Sequence, residues 1–202
     1  VAPGPLAPAP ALHVPHLASP DAWDSIPLHE LSCCSSGQPP ARATRLALAR
    51  DASRLYVAFA CDGLPHTCTL RHRDAPVWTE EAAEAFLDPW GDLQAYYEIN
   101  LNPLGTLCDL ILRRTRAGWL KDFAWDCGGI ATEAALTPTG WRARLAIPFE
   151  SLAVAPPPPR TRRRANFFRI HRPPGAPPEL SAWSPTGRPK FHVQNRFGTL
   201  LF

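Results

Sequence analysis

The sequence predicts an all-β fold, an antiparallel two-sheet β-sandwich of about nine or ten strands. Three observations carry that prediction. Apolar runs are short and end at turn signals instead of recurring at helical spacing. Proline accounts for 25 of the 202 residues, a density that breaks helix interiors. Several runs alternate apolar and polar side chains with the period of two expected of a sheet with one buried face. At this length a single domain can bury a sizeable core. We place it at residues 21–202, after a proline-rich lead-in, residues 1–20, expected to be poorly ordered.

The elements follow in order. The lead-in lacks the basic start and apolar core of a secretory signal, so a cytoplasmic setting is expected unless the sequence is a mature or truncated form. Residues 21–26 (DAWDSI) suit a short turn that packs Trp23 against the sandwich edge. Residues 44–49 are the first strand. After a turn at 51–53, residues 54–61 (RLYVAFAC) return with Leu55, Val57 and Phe59 on one side. A further strand is expected at 67–72. Residues 84–88 alternate Glu84, Phe86 and Asp88 with Ala85 and Leu87, and DPWGD then reverses the chain. The returning run puts Tyr97, Ile99 and Leu101 on one face and Tyr96, Glu98, Asn100 and Asn102 on the other. Residues 106–115 form its neighbour. Residues 130–136 and 141–147 flank TPTG as the clearest hairpin, and 148–152 close with one helical turn. Next comes PPPPRTRRR, read as a solvated connector. In residues 165–171, Ala165, Phe167, Arg169 and His171 alternate with Asn166, Phe168 and Ile170. The loop 173–188 carries Trp183, and residues 196–202 are the closing strand.

Composition excludes several function classes. No run of about 18 apolar residues occurs, so no membrane span is expected. A net charge of +3 implies no nucleic-acid partner, unless the arginines at 160 and 162–164 act together on a polyanion. Six cysteines include no C-x-x-C pair, which argues against a zinc ribbon or a thioredoxin-like site. Cys61 and Cys68 either face each other across a turn as a disulfide or, like the rest, are buried thiols.

Residues 74–109 gather aromatics, carboxylates and amides. Trp78 follows Pro76 in what should be an exposed loop, and Glu98, Asn100 and Asn102 share a strand face beside it. Three polar groups in a row next to an exposed indole make a candidate binding face. Each residue also has a plainer reading. Glu84 suits a solvated strand position, Glu98 and Asn100 the wet face of an antiparallel sheet, and Arg169 an internal ion pair. Glu80 and Glu81 read as solvated charge, and Asp88 as the stabiliser of its own turn.

The segments LARDASRLYVAFAC, RDAPVWTEEAAEAFLDPWGD, YYEINLNPLGT, GWRARLAIPFESL, ANFFRI and SAWSPTG, followed by FHVQNRFGTLLF, span roughly residues 44–202. In that order they resemble a family 9 carbohydrate-binding module, a DOMON-like, jelly-roll-like sandwich. The resemblance implies one saccharide unit held between two tryptophans, here Trp78 and Trp183, without being chemically altered. Glu84, Arg169, Glu98 and Asn100 would bond its hydroxyls. It also implies a bacterial polysaccharide setting beside glycoside hydrolases, and structural calcium in some members. The residue types suit the task. An indole packs on the C–H face of a pyranose, and carboxylate, amide and guanidinium groups pair with vicinal hydroxyls.

Two rivals are weighed against this. A glycosidase needs two carboxylates flanking the bond, and Glu84 with Asp88 or Glu98 would have to supply them. No H-E-x-x-H or G-x-S-x-G motif supports other hydrolytic chemistry. Haem, bound by other DOMON-like domains, loses one common axial ligand because the chain has no methionine.

Overall fold

A computed structural model describes residues 6–17, 19 and 22–202. The short strands β1 (Ala11–His13), β2 (His29–Glu30) and β3 (Ser32–Cys33) precede the hairpin of β4 (Thr44–Arg50) and β5 (Arg54–Asp62). A meander follows, made of β6 (Ala82–Asp88), β7 (Ala95–Leu101), β8 (Leu107–Thr115) and β9 (Gly118–Asp122). A second hairpin, β10 (Ala131–Thr137) and β11 (Gly140–Pro148), leads to β12 (Arg162–His171), β13 (Glu179–Ala182) and β14 (Gly198–Leu201). The larger sheet runs β1-β14-β12-β6-β7-β8-β9, with β13 and then β3 added on the far half of β12. The smaller runs β10-β11-β5-β4-β2. Pairing between these strands is antiparallel except where β1 joins β14. The fold is thus the expected two-sheet sandwich. No helix among the described residues is long and apolar enough to cross a membrane.

The expected strand count of nine or ten becomes fourteen among the described residues, because β1, β2, β3 and β13 have only two to four residues each and cannot display an alternation. Residues 11–13 of the lead-in, expected to be poorly ordered, instead pair with β14 and bury Leu12. The strand expected at 67–72 is absent. The Glu80 carboxylate holds that segment as a loop by accepting the Thr69 and Leu70 amides and the Thr69 hydroxyl. Strand β12 begins three residues earlier than expected, since Arg162, Arg163 and Arg164 pair with Leu201, Leu200 and Thr199. The arginine run is therefore partly sheet, and alternation puts Arg163 on the face opposite to Arg162 and Arg164. All six cysteines are free thiols, so the Cys61–Cys68 disulfide is not made.

Leu46, Leu48, Val57, Phe59, Trp141, Leu145 and Ile147 of the smaller sheet meet Ala83, Ala85, Ile99 and Phe167 of the larger one. Each fully buried large side chain contributes about 1.5–3 kcal/mol. At one end of this layer a charged group is buried. Glu81, fully inaccessible, accepts Arg169 Nη2 at 2.8 Å and Nε at 3.1 Å, and lies 3.0 Å from His171 Nδ1 and 3.3 Å from Trp141 Nε1. Arg169 Nη1 also donates to the Asp62 carbonyl at 2.7 Å. Glu81 is thus no solvated charge but a bolt between the sheets.

The other face of the larger sheet is also covered. Phe86, Tyr96, Leu112 and Phe168 pack there against Phe191 and Phe197 from the chain between β13 and β14. Strand β6 is consequently buried along its whole length.

Candidate functional site

Strand pairing decides which expected site residues share a face. Glu84 on β6 pairs with Asn100 on β7, and Glu98 stands diagonally beside them, opposite Phe86. All three lie on the outer face of the larger sheet, with exposures of 2 %, 0 % and 3 %. Glu84 forms no hydrogen bond or ion pair with any described residue, and its Oε1 is sealed from solvent. Glu98 Oε2 and Asn100 Oδ1 are likewise buried without partners, although Asn100 Nδ2 donates to Glu98 Oε1 at 2.9 Å. Burial, then the charge of Glu98, raises the Glu84 carboxyl well above its ordinary value; burial raises Glu98 too. Native interiors rarely leave such groups unpaired, because each costs about 1–3 kcal/mol.

These carboxylates line the bottom of a cleft of about 480 Å³, within the ~300–1,000 Å³ usual for small-molecule sites. Trp78 forms one wall, Phe191 and His192 another, and Lys121 of β9 stands at the rim. Trp78 sits on a 3-10 turn, Val77–Thr79, with its ring stacked on Phe123 at 5.9 Å. Arg172 ties that turn down by donating to the Trp78 and Glu80 carbonyls, both at 3.1 Å. His192 stacks on Phe86 at 5.2 Å, and its Nδ1 lies 2.7 Å from the Tyr96 hydroxyl. Its Nε2 is 3.9 Å from Glu98 Oε2 and 3.4 Å from Lys121 Nζ. Burial, with Lys121 and Lys190 nearby, lowers the imidazole to about 4, so it is neutral at physiological pH.

The structure brings Trp78, Glu84, Glu98 and Asn100 together and separates Trp183 and Arg169 from them. Trp183 continues β13, and its amide donates to the Phe167 carbonyl at 2.8 Å. It therefore follows Phe167 into the inter-sheet core, where the two rings lie 5.7 Å apart and the indole is 7 % exposed. A Cβ on Gly198 would come within 2.3 Å of that indole, so the glycine is what lets the ring lie flat against β14. Arg169 shares the parity of Phe167, faces inward and is consumed by Glu81. Its effect on the cleft is indirect, since Glu81 ends the segment 78–81 that carries the indole.

Lys121, Phe191 and His192 were not singled out in the sequence. The aromatic-basic cluster KFH at 190–192 hinted at Phe191 and His192, and nothing in the sequence pointed to Lys121. Asp88 stays apart from Glu84 in function, its carboxylate accepting the amides of Trp90, Gly91 and Leu93 to close the turn.

Two other places gather polar groups or open space. A larger depression, about 1020 Å³, lies over Arg54, Gly128 and Phe149. Arg54 spends its Nη1 there on the Gly129 and Ala146 carbonyls, and none of the unpartnered buried atoms belongs to its lining. Asp74, Asp109 and Asp126 bring carboxylate oxygens within 4.8 Å of one another. Arg73 Nη2 already lies between Asp109 and Asp126, at 2.5 and 2.7 Å, and the other Asp109 oxygen accepts the Cys127 amide. Calcium needs six to eight oxygens, and this arginine-filled group does not fit it.

No protein-family model and no curated protein matches the sequence. Among solved structures, a candidate carbohydrate-binding protein from Bacteroides uniformis superposes with a TM-score of 0.75 at 20% identity, covering 96% of this chain and 99% of its own. A family 9 carbohydrate-binding module from Caldicellulosiruptor kristjanssonii, in complex with glucose, gives 0.68 at 15% identity over 95% and 94%. A Caldicellulosiruptor kristjanssonii family 9 module with cellotriose gives 0.65 at 18% identity over 95% and 92%. At these identities the likeness establishes the fold.

Proposed function

We propose that the chain is a family 9-type carbohydrate-binding module that holds a saccharide in the cleft over β6 and β7 and does not transform it. The observation that carries this reading is the pair of unpartnered carboxylates, Glu84 and Glu98, lining a cleft walled by Trp78. Buried acceptors without donors suit a ligand that brings its own, and a pyranose presents hydroxyls at its edge and a C–H face to the indole. The fold shared with modules solved with glucose and cellotriose supports the same class of ligand. One indole contributes, not two, because Trp183 belongs to the core. A bacterial polysaccharide setting is the natural context for such a module.

Calorimetric titration of the whole chain against mono- and oligosaccharides tests the reading, with Trp78→Ala as the control. Binding heat with at least one sugar, weakened roughly tenfold or more in the folded variant, is expected. No heat with any sugar overturns it. Release of reducing ends from an oligosaccharide by the wild type, abolished in Glu84→Gln, would instead establish a glycosidase that uses Glu84 with Glu98.

A further inference from the structure

The floor of the cleft is one-sided in its hydrogen bonding. Glu84 Oε1 and Glu98 Oε2, which line it, are acceptors when ionised, and Asn100 Oδ1 beside them is a third; all are more than nine-tenths buried and unpartnered. The one amide donor in the group, Asn100 Nδ2, is already committed to Glu98 Oε1. A neutral hydroxyl can donate to such a floor, but it also brings lone pairs that need donors of their own. A protonated amine brings three donors and no lone pairs. Its charge also offsets two carboxylates that burial and mutual repulsion make costly to ionise together. Lys121 does not fill that role. Its ammonium reaches His192 Nε2 at 3.4 Å and the face of Trp78 at 5.9 Å, and it bonds neither glutamate.

Resting on the saccharide reading above, we infer that the preferred ligand is an amino sugar whose ammonium group enters between Glu84 and Glu98 beneath Trp78. The indole then covers the C–H face of the ring, with Lys121 at the rim and Lys190 and the neutral His192 in the wall. Lys121 and Lys190 repel such a ligand on approach, so removing the Lys121 charge should strengthen amine binding. For a neutral sugar the same change removes a hydroxyl donor and strengthens nothing.

The test is calorimetry on the whole chain with glucose, N-acetylglucosamine and the 2-, 3- and 6-amino-deoxy isomers of glucose, at a pH where the amines are protonated. At least one amino isomer should bind about tenfold tighter than both neutral sugars, the scale of one charge-assisted bond over a neutral one. That margin should vanish in Glu84→Gln and widen in Lys121→Gln. Neutral sugars that bind as well as every amino isomer would overturn the ammonium inference and leave the saccharide reading intact. Silence from all five ligands and from the wider sugar panel would remove both.

Discussion

Glu84→Gln should make the unliganded protein more stable. The carboxyl is 2 % exposed, bonds nothing and sits beside Glu98. Burial and Glu98 raise its folded value, so the unfolded chain loses the proton first as pH climbs. Between the unfolded and folded values the native state holds more protons, and stability falls with rising pH. The contribution of this group is therefore complete below the ordinary carboxylate range and is lost as pH rises through the folded value. Glutamine has no proton to lose. Wild type and variant should melt together at acidic pH, diverge above the ordinary glutamate value and run parallel once Glu84 is ionised. Between those two values each pH unit costs the wild type about 1.4 kcal/mol that the variant keeps. For a chain of this size each kcal/mol moves the melting temperature about 2–4 °C, so the variant should gain roughly 3–6 °C per pH unit across that window. Melting curves across pH, followed by circular dichroism, read this directly. A variant that melts at or below the wild-type temperature at every pH would mean that Glu84 has a partner, and the argument for a ligand-seeking floor would fail.

Trp183→Ala should lower the melting temperature by roughly 6–20 °C, the scale of a large core truncation, whereas Trp78→Ala should cost less stability and more affinity. A Trp183 variant that melts like wild type but loses sugar binding would return that indole to the site. Arg169→Met strands the Glu81 charge and should destabilise by about 3–5 kcal/mol, with Glu81→Leu in the same chain restoring most of the loss; denaturant unfolding checks both. Adding calcium or a chelator should leave the melting temperature unchanged, because Arg73 already occupies the Asp109–Asp126 pair. A calcium-dependent rise would show that the guanidinium yields.

Much of the fold was legible because period-two alternation survives wherever a strand is long. The run from Tyr96 to Leu101 separated its core face from its polar face correctly, and the hairpin at residues 131–148 pairs about its two-residue turn as expected. What misled was the assumption that polar faces are wet. The polar face of β7 lies under Phe191, Phe197 and His192, supplied by a loop whose path no local pattern predicts. Alternation put Glu98 and Asn100 on the face opposite to Tyr97 and Ile99, where they stand, yet that loop buries them. Glu80 and Glu81 failed in the same way. Two adjacent glutamates look solvated until Thr69 and Arg169, distant in sequence, converge on them.

The two misplaced site residues share one cause, and it is instructive about which half of a site a sequence can specify. Arg169 and Trp183 were joined to Trp78 by resemblance, while parity along their own strands put them elsewhere. Phe168 pairs with Glu84 and with Ala182, so these three share the outer face, and every neighbour one residue away points inward. Arg169 follows Phe168, and Trp183 follows Ala182; neither can reach the Glu84 face without a bulge in its strand. The strand-borne floor of the cleft, Glu84 with Glu98, was therefore within reach of alternation alone. Its loop-borne walls, Phe191 and His192, were not, since they owe their position to packing on Phe168, Phe86 and Tyr96. A loop that finds its place by packing can vary its side chains without disturbing the sheet below. On the proposed saccharide reading, ligand choice should accordingly respond more to exchange of residues 189–192 than to any change in the strand framework that leaves Glu84 and Glu98 in place.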